Sequence, residues 1–430
     1  MLNQFHLIDR SCYRRREEVA QVRAFFAANG WQEVDASASA DVVVFFSCAG
    51  LRYLVDERLT EISSTQKKLK SGAQMIVGSC IPGMAGERLR DVFSGRTITP
   101  TDFSALDELP GIRLRSDNLP AIWGRAAAVR LPPRPGFLSG LAMRLDDLAL
   151  DWRRFWTGRR PGHWKRRKVP LPKRRNTIAF SIVAGCSRRC AYCAKPFASG
   201  HIRSKPLETV IETIRGGLAL GFRRFDLFAD SIGLYGLDLH TPLGDLLERL
   251  LKLKRRFSVG LFDLHPQDFL KHFDAIRQLA RAGKLHYLHV PIQSGNEDIL
   301  AAMNRPIRIS DLTDRLAEIR RIPGVFMQSG IIVGFPGETE AAFADTMRTL
   351  RRIDFDDVYV HYYCDMPNTQ ASCQSTRVPP AEMRRRLACV LDSGIRHNLA
   401  ATSHEWERNL AYAESPAAKP PTGGPREPTR

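Results

Sequence analysis

Six short runs rich in β-branched and aromatic residues recur between Asn176 and about residue 375: TIAFSIV, RFDLFA, FSVGLFDL, LHYLHVPI, GIIVGF and DVYVHYY. Stretches of helical spacing lie between them, among them PLETVIETIRGGLALG, TPLGDLLERLLKLKR and ISDLTDRLAEIRRI. Strands that alternate with helices pair in parallel, because each helix carries the chain back over the sheet. The block 176–375 is therefore expected to be an incomplete parallel (β/α) barrel, with its chemistry at the carboxyl ends of the strands.

Ahead of it, residues 1–99 read as an open α/β unit. QFHLI, ADVVVFFSC and AQMIVGSC have the composition of buried strands, and VAQVRAFFAANGW has helical spacing that stops at Gly30. Open α/β sheets bind ligands at the carboxyl ends of their strands. Two of these runs end in Cys48 and Cys80, and Cys12 follows the third. Three thiols at one edge would make a metal site, but on spacing alone three unrelated buried thiols are the better account.

Residues 100–175 form an irregular insertion containing one amphipathic stretch, LSGLAMRLDDLALDWRRFW, with Leu138, Leu141, Leu145, Leu148 and Trp152 on one stripe. Residues 376–412 read as one or two helices, and 413–430 as a Pro- and Gly-rich disordered tail. The formal net charge of +18 favours an anionic partner. Between Trp152 and Arg175 lie eleven Lys or Arg, three Trp and no acid. A solvated basic linker and an RNA-gripping surface account for that stretch about equally. No apolar run is long enough to span a membrane, and the first residues lack the pattern of a secretory signal, so the expected location is cytoplasmic. Thiols stay reduced there, which turns the nine cysteines toward metal or redox chemistry.

Cys186, Cys190 and Cys193 in AGCSRRCAYC come directly after the first barrel strand. Three thiolates are one short of the four that saturate a 4Fe–4S cluster, which leaves one iron open to a ligand from outside the protein. Structural zinc takes four ligands at paired spacings, and no matching partner stands beside this loop; His201 is alone. Cys364, Cys373 and Cys389 have no ligand spacing, and His265, His286 and His289 read as core or loop residues.

CxxxCxxC after the first strand of such a barrel resembles the radical S-adenosylmethionine superfamily. LHVPIQSGNEDILAAMNRP (288–306) and IIVGFPGETEAAF (331–343) narrow the resemblance to its methylthiotransferase family, supported by LFADSIGLYGLDL (227–239) and AKPFASGHIRSKP (194–206). GFPGE lacks the Gly-Lys-Ser/Thr of a phosphate loop, which rejects nucleoside triphosphate binding. The DxHxxG signature of cobalamin-dependent relatives is absent from residues 1–150.

The resemblance implies two 4Fe–4S clusters. One, on Cys186, Cys190 and Cys193, chelates S-adenosylmethionine and cleaves it to a carbon radical. The other, on Cys12, Cys48 and Cys80, carries the sulfur that the substrate radical collects. Gln293, Ser294, Asp230 and Ser231 are expected to contact S-adenosylmethionine and Arg203 to pair with its carboxylate. A flavodoxin or ferredoxin is the expected reductant. The chain departs from the family where Tyr13 and Arg15 replace Gln and Asn, Phe46-Ser47 precedes Cys48, Ser79 replaces Gly before Cys80, and Gly330 replaces Asp. After the C-terminal helices no RNA-binding β-barrel of the family's kind is expected. A tRNA base is the expected acceptor by family default and by charge; a peptide or small molecule is the alternative, and a radical reaction without sulfur transfer the second alternative.

Overall fold

The computed structural model describes residues 3–12, 15–116 and 177–395. The stripe at 138–152, the basic stretch 152–175, and the chain after 395 with its expected second helix and tail lie outside the described residues.

Two sheets organise the described residues. The first contains β1 (Gln4–Arg10), β2 (Gln32–Glu33), β3 (Val42–Ser47), β4 (Gln74–Ser79) and β5 (Arg96–Thr97), all parallel, in the order β2-β1-β3-β4-β5. Every residue of β3 is buried because both faces of the sheet are covered. Val42, Val44 and Phe46 point toward helix α1 (Arg16–Ala28), whereas Phe45 points toward helix α2 (Arg52–Gln66). α1 ends where the sequence predicts: Trp31 N–H bonds the Phe26 carbonyl around Gly30 at φ +77°, a glycine C-terminus. Ile98, Leu106 and Leu109 pack on this core, with Ile112 against it, so the layer extends past residue 99.

The second sheet runs β12-β11-β10-β9-β8-β6-β7. β6 (Thr177–Ala184), β8 (Arg224–Ala229), β9 (Ser258–Leu261), β10 (Leu285–His289), β11 (Phe326–Val333) and β12 (Asp357–Tyr362) are the six expected strands, and all pair in parallel. The sheet ends at β12 and at the short antiparallel β7 (Arg203–Ser204), an incomplete barrel. Alternate residues such as Phe225, Leu227, Val259 and Leu261 form the apolar core against the outer helices. Among the described residues no helix is long and apolar enough to cross a membrane.

The two sheets meet through the segments that follow their cysteines. Helix α3 (Ile81–Met84), after Cys80, lies against helix Lys195–Ser199, after Cys193. A Cβ on Gly83 would stand 2.0 Å from the Phe197 carbonyl oxygen, so only glycine permits this approach. Ala194, Ala198 and Met366 complete the apolar cluster there. Nearby, Ser181 N–H donates to Glu17 Oε1 at 2.7 Å and the buried Lys205 Nζ lies 3.4 Å from Glu17 Oε2.

Candidate active site at the adjoining sheet edges

β6 delivers its chain into the cysteine loop through Gly185, at φ +84°. A Cβ there would lie 2.2 Å from the His201 carbonyl oxygen, so the loop can double back only at glycine. Ala191 N–H bonds Met303 O, Ala371 N–H bonds Ala191 O, and Asn304 Nδ2 donates to Arg189 O at 2.7 Å. Arg188 pairs with Asp268. These ties hold the loop from three directions. Burial, then the neighbouring Cys193 thiolate, push the Cys186 thiol up to about 12, and burial raises Cys193. Metal binding here would therefore be coupled to proton release.

Among the described residues no three Cys, His, Asp or Glu side chains converge to hold a single metal ion. A 4Fe–4S cluster offers each thiolate a separate iron, so its ligands ring a volume instead of meeting at a point. Cys186, Cys190 and Cys193 each lie within electrostatic reach of the other two, as a ring of that kind requires.

The N-terminal cysteines follow the same edge logic. β1, β3 and β4 are neighbours, with Arg10, Ser47 and Ser79 in register. Backbone bonds extend the ladder one step further, Cys48 N–H to Arg10 O and Cys80 N–H to Ser47 O, both 3.1 Å. Strand order reverses between β1 and β3, the crevice where doubly wound sheets bind ligands. Cys12 and Cys48 flank it. Cys12 shares a hydrogen bond with Cys48, which with burial and the charges of Cys12 and Cys80 pushes the Cys48 thiol up. The three thiols that spacing alone left unrelated are thus neighbours.

Asp230, at the end of β8, lies within electrostatic reach of Cys186, Cys193 and Cys80. Its carboxylate accepts from Arg15 Nη2 at 3.2 Å and from Gly185 N–H at 3.3 Å. Ser231 Oγ and Gln293 Oε1 are buried and find no hydrogen-bond partner among the described residues. Gln293 also adopts φ +68°, a strained region for a residue with a side chain. Two buried acceptors aligned with nothing suit a polar small molecule. Arg203 is exposed beside Ala184 through the β6–β7 pairing. Ser294 is turned elsewhere: its hydroxyl lies 3.3 Å from Thr346 Oγ1 and accepts from Asn296 N–H.

Inside the barrel, alternation brings polar and aromatic side chains together. His286 Nε2 lies 3.0 Å from Asp226 Oδ1, and Gln328 Nε2 donates to Asp357 Oδ2 at 2.5 Å. Phe228, Phe262 and Tyr287 stack in sequence at 4.2 Å between centroids. Nearer the mouth, His289 pairs with Asp263, and its ring lies 6.5 Å from that of Tyr359. Sequence reasoning passed over Arg305, which donates to Cys190 Sγ at 3.6 Å, Tyr192 Oη at 3.2 Å and Pro291 O at 2.8 Å. It also left Arg15 and Glu18 without a role. A buried arginine carries no mark that distinguishes it from an exposed one in the sequence.

Residues 180–350 match the profile of the Radical SAM superfamily. The chain is 27% identical over 414 residues to tRNA-2-methylthio-N(6)-dimethylallyladenosine synthase of Xanthomonas oryzae pv. oryzae, covering 92% of this chain and 78% of that protein. The protein of the same name from Halalkalibacterium halodurans is 32% identical over 255 residues, 57% of this chain and 45% of that one. Among solved structures, the radical S-adenosylmethionine methyltransferase TsrM from Kitasatospora setae, with cobalamin and a 4Fe–4S cluster bound, aligns with a TM-score of 0.53 at 15% identity, over 84% of this chain and 72% of that one. At that identity the likeness is one of fold. Residues 180–350 form a radical SAM domain, in a chain that resembles the tRNA methylthio synthases over most of its length.

Proposed function

We propose that the protein is a radical SAM enzyme with two 4Fe–4S clusters that attaches sulfur or a methylthio group to an unactivated C–H carbon of a tRNA base. The observation that carries this reading is the second thiol triplet, Cys12, Cys48 and Cys80, at a sheet edge adjoining the barrel cysteines. A cluster held there would stand beside the barrel mouth, where a substrate radical could collect sulfur from it. The names of the relatives support the acceptor.

Cys186, Cys190 and Cys193 would hold one cluster, and Cys12, Cys48 and Cys80 the other. A cluster held on the barrel cysteines would supply the electron for reductive cleavage of bound S-adenosylmethionine. The protein's part is to bind, orient and exclude water. Ser231 and Gln293 would orient S-adenosylmethionine through oxygens that are already desolvated, Asp230 would border it, and Arg203 would meet its carboxylate. Ser294 would hold the turn that presents Gln293. The Phe228–Phe262 face and the His289–Asp263 pair would receive a planar base by stacking and hydrogen bonding.

The test is iron and sulfide content after anaerobic reconstitution. Wild type is expected to hold about eight irons, and a triple Ala variant of either cysteine set about four. Full iron retention by the Cys12/Cys48/Cys80 variant would remove the second cluster and sulfur transfer with it.

A further inference from the structure

A buried chain of polar contacts links the two thiol triplets. Ser79, next to Cys80, donates from Oγ to Glu18 Oε2 at 3.0 Å. Arg15 donates to Glu18 Oε1 at 3.0 Å, to Ser199 Oγ at 2.7 Å and to both oxygens of Asp230 at 3.2 and 3.3 Å. Asp230 in turn accepts from the backbone of Gly185, next to Cys186. Arg15 is 6% exposed and Glu18 4%.

Three features set this chain apart from ordinary inter-domain packing. One guanidinium serves two carboxylates and a hydroxyl, a task suited to the planar, five-donor arginine head. Charges this deep are costly unless each is paired, so the arrangement is all-or-none. Ser79 adopts φ +74°, a conformation disfavoured for any side chain, and it is this hydroxyl that reaches Glu18. Two positions at which the chain departs from its family, Arg15 and Ser79, thus belong to one network.

We propose that Arg15 is a positioning residue: it fixes Asp230 at the edge of the S-adenosylmethionine site and ties that edge to the N-terminal thiol triplet. The proposal rests on the reading of Cys186, Cys190 and Cys193 as the S-adenosylmethionine cluster. Arg15 does not touch the reacting atoms; it acts through the Asp230 carboxylate, which would swing or take up a proton without its partner. The N-terminal unit is thereby part of the S-adenosylmethionine site and not only a sulfur carrier.

The experiment uses the full chain, reconstituted anaerobically, with S-adenosylmethionine alone as the probe. The readout is its dissociation constant, from the change it causes in the electron paramagnetic resonance spectrum of the reduced cluster, beside iron content. Arg15→Gln is expected to keep its iron and to bind S-adenosylmethionine about tenfold more weakly, the loss of one charge-assisted hydrogen bond. Arg15→Lys should recover part of the affinity. In an Asp230→Asn background, Arg15→Gln should cost nothing further, because Arg15 acts only through that carboxylate. Should Arg15→Gln fail to fold, Arg15→Gln/Glu18→Gln, which removes a cation and an anion together, decides in the same way. Affinity within about twofold of wild type in the folded variant, or a further loss from Arg15→Gln in the Asp230→Asn background, would overturn the proposal. A wild-type spectrum that S-adenosylmethionine leaves unchanged would instead overturn the underlying reading of the cysteine loop.

Discussion

Arg305 sits 5% exposed with its guanidinium on Cys190 Sγ, the one thiol of the barrel loop that receives a side-chain donor among the described residues. Hydrogen bonds to cluster sulfurs raise a reduction potential, because they stabilise the charge of the reduced form. Arg305→Gln is expected to make the barrel cluster harder to reduce, as a potentiometric titration followed by paramagnetic resonance will read. It should also destabilise the apo-protein by about 2 kcal/mol, since Tyr192 Oη and Pro291 O lose a charged donor in a buried place. An unshifted potential in a variant with full iron would show that the contact does not reach the cluster. At this scale Cys186, Cys190 and Cys193 stood out, because their spacing is written in the chain; Cys12, Cys48 and Cys80 had no such spacing. Arg305 and Arg15 did not stand out, because their roles follow from burial.

His265 caps helix Pro266–Lys271 by accepting from Gln267 N–H at 3.2 Å. Burial first, then Arg305 and Arg188, hold its pKa down from 6.5 to about 2. The unfolded chain therefore takes up a proton below pH 6.5 that the folded chain refuses. The stability due to neutral His265 is complete above that pH and is lost as pH falls toward about 2, at about 1.4 kcal/mol per pH unit. Asn is a good cap with no such proton, so His265→Asn should flatten the pH dependence of urea unfolding of the apo-protein between about pH 6 and 4. An unchanged slope would place the dependence on other groups. Element identity was readable because alternation and helical spacing are local: all six barrel strands and the end of α1 at Gly30 stand where their patterns put them. β2, β5 and β7 escaped notice since two residues carry no period.

Across the whole chain, the charge of +18 bears on the acceptor. Affinity for tRNA is expected to fall by roughly a thousandfold between about 50 and 200 mM salt, the signature of several phosphate contacts. Replacing Arg159, Arg160 and Lys165–Lys168 by Gln should reduce that slope, as filter binding at several salt concentrations will show; a salt-insensitive affinity would point to a peptide or small molecule. The edge on which each cysteine lies was already determined by the sequence, since parallel βα repeats place every strand's carboxyl end on the same side. The approach of the two sheet edges was decided only in three dimensions. Arg15 and Asp230 are separated by 215 positions, and a hydrogen bond between them depends on two helices closing over Gly83. Local patterns encode which face of an element is apolar; which distant charge finds a partner is settled by packing, where an unpaired buried charge cannot persist.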